Sequence, residues 1–155
     1  MSNKVKPVPD GYHSVTPYLV IKGAAAAIDY YKKAFGAIEM VRMPQPDGRI
    51  GHAEIKIGDV MVMLSDEFPE RKIVGPATLG NTTVGLLLYV EDADATFQKA
   101  VGLGAKVETP MADQFYGDRN GTVRDPFGHK WTIATHREDV TPEEMKRRMT
   151  AMAEK

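Results

Sequence analysis

Apolar and polar positions follow the same order of patterns twice along the chain. Tyr18-Leu19-Val20-Ile21 is a short apolar run of the kind a buried strand makes. From Ala24 to Phe35 the apolar positions Ala24, Ile28, Tyr31 and Phe35 recur at helical spacing, and Gly36 ends the helix. Ile38 to Met43 reads as a strand, and the Pro46-Asp47-Gly48 turn leads into a second from Ile50 to Ile57. Gly58-Asp59 is a two-residue hairpin turn into a third strand, Val60 to Leu64. The second half repeats this order. Val84 to Val90 is a strand, and Ala93 to Val101 a helix with Phe97, Ala100 and Val101 inward. The region of Gly102 and Gly104 stops that helix, and Lys106 to Thr109 is the next strand. Asn120 to Arg124 and Lys130 to Ala134 then flank the turn Asp125-Pro126-Phe127-Gly128. Ile21 and Val90, Ile28 and Phe97, and Val62 and Trp131 are each 69 positions apart, so a βαβββ unit is duplicated.

The expected organisation is α+β. It comprises an N-terminal arm (1–14), a first module (15–65), a linker or flap (66–82), a second module (83–138) and a C-terminal helix (139–155). That last helix carries a capping box, Thr141-Pro142-Glu143-Glu144. Its stripe of Met145, Met149 and Met152 suits docking on its own domain or on a sister chain.

Hairpin register separates the strand faces. With Gly58-Asp59 as the turn, Ile57 pairs with Val60, Ile55 with Val62 and Ala53 with Leu64, one apolar face for the helix. His52, Glu54 and Lys56 then share the opposite face with Met61, Met63 and Ser65. In the second module a three-residue loop with Gly128 left-handed pairs Val123 with Trp131 toward the helix, so Trp131 is expected in the core. Thr122, Arg124, Lys130 and Thr132 take the other side.

Composition narrows the chemistry. The 155 residues suit one ordinary domain or two small modules, and 43% hydrophobic with 26% charged is a globular balance. With 20 Lys+Arg against 21 Asp+Glu and no long basic run, neither nucleic acid nor an anionic membrane is an expected partner. Zero Cys excludes disulfides, thiolate metal sites and a Cys nucleophile. No signal-peptide core or membrane-length apolar stretch is present, so the expected location is cytoplasmic.

Among candidate residues, His52 and Glu54 stand at i and i+2 of one strand and point the same way. Together they could bind a ligand, hold a metal, act as acid and base, or form a solvated pair balanced by Lys56 or Arg124. Phe115 and Tyr116 cannot both be core, so one borders a ligand site, borders a dimer seam, or packs in its loop. Arg119 and Arg124 offer planar donor forks to an anionic or carbonyl-rich ligand, against ion pairing with Asp118 or Asp125. His129 is expected exposed in its turn, and His13 and His136 incidental. No phosphate loop or nucleophile elbow is present.

The segments GRIGHAEIKIGDVMVMLSDEFPE, YVEDADATFQKAVGLGAKV and QFYGDRNGTVRDPFGHKWTIATH resemble the vicinal-oxygen-chelate superfamily of glyoxalase I, extradiol dioxygenases, and fosfomycin- and bleomycin-resistance proteins. The likeness is nearest to its small bacterial PhnB-like branch and covers roughly Val15 to Glu138. The resemblance implies two βαβββ modules curled into a half-barrel cup with helices outside, a homodimer, and His and Glu ligands to one divalent metal. Those ligand positions fall here on Thr16, Met63, Gly85 and Thr132, of which none is His, Asp or Glu. Glyoxalase I and extradiol dioxygenase activity are therefore not expected. Two readings follow. One is a metal-free protein, without cofactor, holding a small organic ligand with His52, Glu54, Met63, Phe115, Tyr116, Arg119, Thr122, Arg124 and Thr132. The other is an enzyme (a lyase, isomerase or dioxygenase-like) with a relocated site at His52 and Glu54, with or without a divalent metal.

Overall fold

A computed structural model describes residues 5–153, which form two compact units meeting between Asn81 and Thr82. The first holds β1 (Tyr18–Ile21), α1 (Ala24–Phe35), β2 (Ile38–Pro44), β3 (Ile50–Ile57), β4 (Val60–Asp66) and a short α2 (Pro76–Leu79). The second holds β5 (Gly85–Tyr89), α3 (Ala93–Gly102), β6 (Lys106–Asp113), β7 (Asp118–Arg124), β8 (Lys130–His136) and α4 (Pro142–Ala153). Each unit builds an open four-stranded mixed sheet, in the orders β1-β4-β3-β2 and β5-β8-β7-β6. The α+β class and the duplicated order are as the sequence predicts. Neither sheet closes into a barrel.

The repeat extends to register. Tyr18 pairs with Met63 and Val20 with Ser65, while Leu87 pairs with Thr132 and Tyr89 with Ala134, each residue 69 positions on. The hairpin pairings Ile57–Val60, Ile55–Val62 and Ala53–Leu64 are observed, as is Val123–Trp131, with Gly128 at φ 93°. Ile21, Ile28, Tyr31, Ile55 and Leu64 are fully buried in the first unit. Phe97, Val123, Trp131 and Ile133 are buried in the second, where Trp131 donates its indole N–H to the buried Asp125 at 2.9 Å. Each such side chain contributes roughly 1.5–3 kcal/mol on burial.

Both helices start on a side chain from the last strand of their own sheet. Asp66 Oδ1 accepts from the backbone N–H of Gly23 and Ala24 at 3.0 and 2.9 Å, and Asp66 Oδ2 from that of Ile50 at 2.7 Å. At the equivalent place Thr135 Oγ1 accepts from the N–H of Ala93 at 2.9 Å. These contacts satisfy donors that a helix N-terminus otherwise leaves open.

Two stretches differ from the sequence reading, and a third, the capped C-terminal helix, is present as expected. First, 66–82 is more than a flap: β4 runs on to Asp66, Pro69–Arg71 is a 3-10 turn, and α2 follows. The buried Glu67 carboxylate fastens it, accepting from Gly75 N at 2.6 Å and Thr78 Oγ1 at 2.8 Å. Second, β6 continues to Asp113 and hairpins into β7 at Asp118, with Phe115 and Tyr116 at the tip. Third, α4 is held by ion pairs, Arg148 to Glu138 at 2.7 Å and to Glu144 at 2.8 Å. Its capping Thr141 accepts from Glu144 N at 3.3 Å. Met145 is half-buried, whereas Met149 and Met152 remain 55% and 62% exposed, so the far end of the stripe does not dock on its own unit.

Candidate functional site

Alternation along β3 turns His52, Glu54 and Lys56 away from α1, because Ala53, Ile55 and Ile57 are committed to the core. The side chains there form a chain of hydrogen bonds. His52 Nε2 lies 3.1 Å from Glu54 Oε1, and the Tyr18 hydroxyl lies 3.3 Å from His52 Nδ1. Tyr12, from the N-terminal arm, donates its hydroxyl to Glu54 Oε2. With Glu54 as acceptor, a neutral His52 carries its proton on Nε2 and turns the Nδ1 lone pair to Tyr18.

The bonds from Tyr12 and His52 hold the Glu54 carboxyl below the usual carboxylate range, and the same bond pushes the Tyr12 phenol up. Glu54 is 17% exposed at the side chain and His52 25%. Neither Lys nor Arg is within ion-pair distance of Glu54 among the described residues.

Glu54 lies in a cleft of about 460 Å³ between the arm and the sheet. Pro7, Val8 and Pro9 wall it on the arm side, Met63 lies opposite, and Tyr12, His13 and Thr16 line it between them. His13, expected to be incidental, is therefore part of the cleft lining. Tyr12 and Tyr18 were not singled out from sequence. The signal for Tyr18 was its place beside Met63 in the parallel β1–β4 register. Nothing local marks Tyr12.

On the second sheet the corresponding face is internally paired. Thr122 and Thr132 share a hydrogen bond at 2.9 Å. Arg124 donates to Glu108 at 2.6 Å and to the Gly128 carbonyl at 3.1 Å, and Lys130 reaches the same Glu108 at 3.1 Å. Arg119 projects to the helix side and grips Asp94 of α3 with two bonds of 2.6 and 2.7 Å, so its partner is neither Asp118 nor Asp125. Phe115 and Tyr116 pack edge-to-face at 5.2 Å, and the Tyr116 hydroxyl accepts from Asn120 at 2.8 Å. His52, Glu54 and Met63 are thus brought together in the first unit. Thr122 and Thr132 are brought together in the second, and Arg119 stands apart from both groups.

His129 differs from expectation. It is buried at 8% exposure, because its backbone N–H is drawn to the buried Asp125 at 2.9 Å. His136 bridges Asp118 and Asp139 at 2.7 and 2.9 Å, which pushes its pKa up. Tyr89 completes that group, donating its hydroxyl to Asp118 at 2.7 Å.

The residues present do not fit a divalent metal. Thr16 offers a hydroxyl 3.5 Å from the His13 carbonyl, Met63 a thioether, Gly85 no side chain, and Thr132 a hydroxyl bonded to Thr122. Among the described residues no group of three or more His, Asp or Glu is placed to hold a metal ion. No helix of those residues is long and apolar enough to cross a membrane.

Comparison with known proteins agrees with this architecture. A Mycobacterium bovis protein of uncharacterised function, Mb0911c, is 42% identical over 144 residues, covering 91% of this chain and 95% of its own length. TioX from Micromonospora sp. ML1 superposes with a TM-score of 0.63 at 28% identity, covering 80% of this chain and 98% of TioX. The Arabidopsis thaliana At5g48480 product gives 0.65 at 27% identity, covering 79% and 98%. The family description that matches, Glyoxalase/Bleomycin resistance protein/Dioxygenase superfamily, spans residues 12–133, and the chain belongs to that superfamily.

Proposed function

We propose that this chain is a metal-free small-molecule-binding protein whose site is the cleft between the N-terminal arm and the first sheet. The observation that carries this reading is Glu54, an ionised and mostly buried carboxylate with no Lys or Arg partner among the described residues, in a 460 Å³ cleft lined by both apolar and polar side chains. That volume is typical of small-molecule sites, which combine apolar walls with a few fixed polar groups. Each Glu54 oxygen accepts one bond from the protein and keeps capacity for another. Met63 supplies an adaptable surface. The replaced donor set at Thr16, Met63, Gly85 and Thr132 supports a ligand held without metal.

The test is a thermal-melt screen of small organic molecules on wild type, His52→Ala and Glu54→Gln. Both positions face away from the Ala53, Ile55 and Ile57 packing, so the variants should fold, with a stability change of roughly 0.5–1.5 kcal/mol from the altered side-chain hydrogen bonds. Losing a charged hydrogen bond should cost roughly 1.5–3 kcal/mol of binding, about 10- to 150-fold in affinity. Variants that fold and keep every ligand-induced shift would defeat the proposal. In parallel, untagged protein should carry no stoichiometric nickel, zinc or iron. Turnover of the methylglyoxal–glutathione adduct should stay at background with added metal, and a metal-dependent rate would sink the metal-free assignment.

A specific observation favours a second reading. The Tyr18–His52–Glu54 chain has the form of a base oriented by a carboxylate, the arrangement used for proton transfer. In that case His52→Ala would lower a rate by roughly 10²–10⁴ with much smaller loss of affinity. We also propose a homodimer. The exposed Leu87 and Tyr89 of β5, Val107 of β6 and Met149 and Met152 of α4 support it, and light scattering at micromolar concentration tests it.

A further inference from the structure

We infer that the arm cleft selects organic cations, such as amines or quaternary ammonium groups carried on an apolar body. This rests on the binding reading above and adds the charge of the ligand. The cleft has one carboxylate among its described lining residues, Glu54, and neither Lys nor Arg. Lys6, on the same arm, is already paired with Asp10 at 2.6 Å. His13 points its charge capacity at Asp59 of the β3–β4 turn, 4.0 Å away.

Glu54's two bonds come from a phenol and an imidazole. They fix the carboxylate in place without the permanent positive charge that a Lys or Arg partner would bring. Some other carboxylates are neutralised by guanidinium groups, as Asp94 is by Arg119 and Glu138 by Arg148. The buried Asp66 and Glu67 are held by backbone N–H and hydroxyl donors, and lie outside the cleft that Glu54 lines. A charge mostly removed from water and left without a counter-charge is costly, and a ligand cation recovers that cost on binding. The walls agree. Pro7, Val8 and Pro9 cover an apolar body, and the Tyr12 ring and Met63 thioether are soft surfaces that suit a cation. An anionic ligand would meet Glu54 with like charge.

The experiment compares three ligands on one hydrocarbon body: 4-phenylbutylamine, 4-phenylbutan-1-ol and 4-phenylbutyrate. Calorimetric titration runs at pH 8, where the amine carries a positive charge and the carboxylate ligand a negative one. The amine should bind at least about tenfold more tightly than the alcohol, and the carboxylate least of all. Glu54→Gln should bring amine and alcohol to parity. Thr16→Lys, which places a cation inside the cleft without touching Glu54, should abolish the preference as well. It serves where Glu54→Gln melts low. Alcohol or carboxylate binding as tightly as the amine overturns the charge assignment and leaves the binding site standing. An amine preference that survives both substitutions overturns it too, since the cation then sits elsewhere. If none of the three binds, the charge assignment falls. The binding reading falls with it only if the wider screen also yields no ligand sensitive to Glu54→Gln.

Discussion

The two modules share a backbone plan and differ in the chemistry of one face. Glu54 opposite Met63 in the first corresponds to Thr122 opposite Thr132 in the second, and Lys56 opposite Met61 to Arg124 opposite Lys130. On the helix side both remain apolar: Ala53, Ile55, Val62 and Leu64 in one, Val123, Trp131 and Ile133 in the other. A sheet face that covers a helix is constrained by packing, whereas the opposite face is free to diverge. The second module closed its free face on itself, with paired hydroxyls and a Glu108 held by two cations. The first kept Glu54, which has no Lys or Arg within ion-pair distance among the described residues. The proposed binding site rests on that asymmetry.

The helix sides are alike in polarity but not in volume, and here the largest effects are expected. Trp131 and Val62 hold equivalent positions and are 3% and 4% exposed. Trp131→Ala should cost roughly 3–5 kcal/mol, because it opens a cavity and removes a donor to the buried Asp125. Val62→Ala should cost roughly 2 kcal/mol, from two methyl groups and a small void. Chemical denaturation of both variants measures this. Equal losses would mean that the second core does not depend on its indole.

The equivalent turns at the β2–β3 and β6–β7 hairpins sharpen the comparison. Gln45 N–H donates to the Arg49 carbonyl and Gln114 N–H to that of Asp118, each at 2.7 Å. Gly48 and Gly117 sit at φ 85° and 99°, in the left-handed region. A Cβ on Gly48 meets open space, whereas one on Gly117 would fall 2.0 Å from the Glu138 carbonyl oxygen. Gly48→Ala should therefore cost about 1 kcal/mol of backbone strain, and Gly117→Ala on the order of 3 kcal/mol as the segment leading to α4 is displaced. Comparable melting temperatures for the two variants would show that this segment yields freely.

The same pair of turns shows what was legible in the sequence. Period-two and helical patterns gave the strands and helices, and the Gly58 and Gly128 turns gave the hairpin registers. The β6–β7 hairpin was missed because its tip carries Phe115 and Tyr116 where the first module has Pro46 and Asp47. Yet Gln45 and Gln114, and Gly48 and Gly117, lie 69 positions apart, so the offset was the unused signal for that turn. At the site, the face of His52 and Glu54 followed from register. Tyr12 did not, because an arm without periodic pattern gives no indication of which strand it crosses. The ion pairs of Arg119 and Arg124 were equally hidden, since Asp94 and Glu108 come from elements whose side-by-side placement only the fold sets.

The smallest expected effect concerns the ends of the two sheets. Glu67 in the first module and His136 in the second are equivalent, but they fasten their segments with different charge states. Glu67 accepts from Gly75 and Thr78, whereas His136 bridges the buried Asp118 and the exposed Asp139. The hydrogen bond that His136 donates to Asp118, then the one it donates to Asp139, raises the folded-state pKa of His136 above its unfolded value. The folded protein therefore binds that proton more tightly than the unfolded chain, and the resulting stability is fully present below the unfolded pKa of about 6.5. It is lost as pH rises through the raised folded value. Because His136 is 51% exposed at the side chain, screening keeps the effect small and salt-sensitive. Wild type should out-melt His136→Gln most clearly at pH 5.5 in low salt, and the gap should narrow toward pH 9. A gap that is constant across that range, or that widens on the alkaline side, would show that His136 acts here through packing and not through its charge.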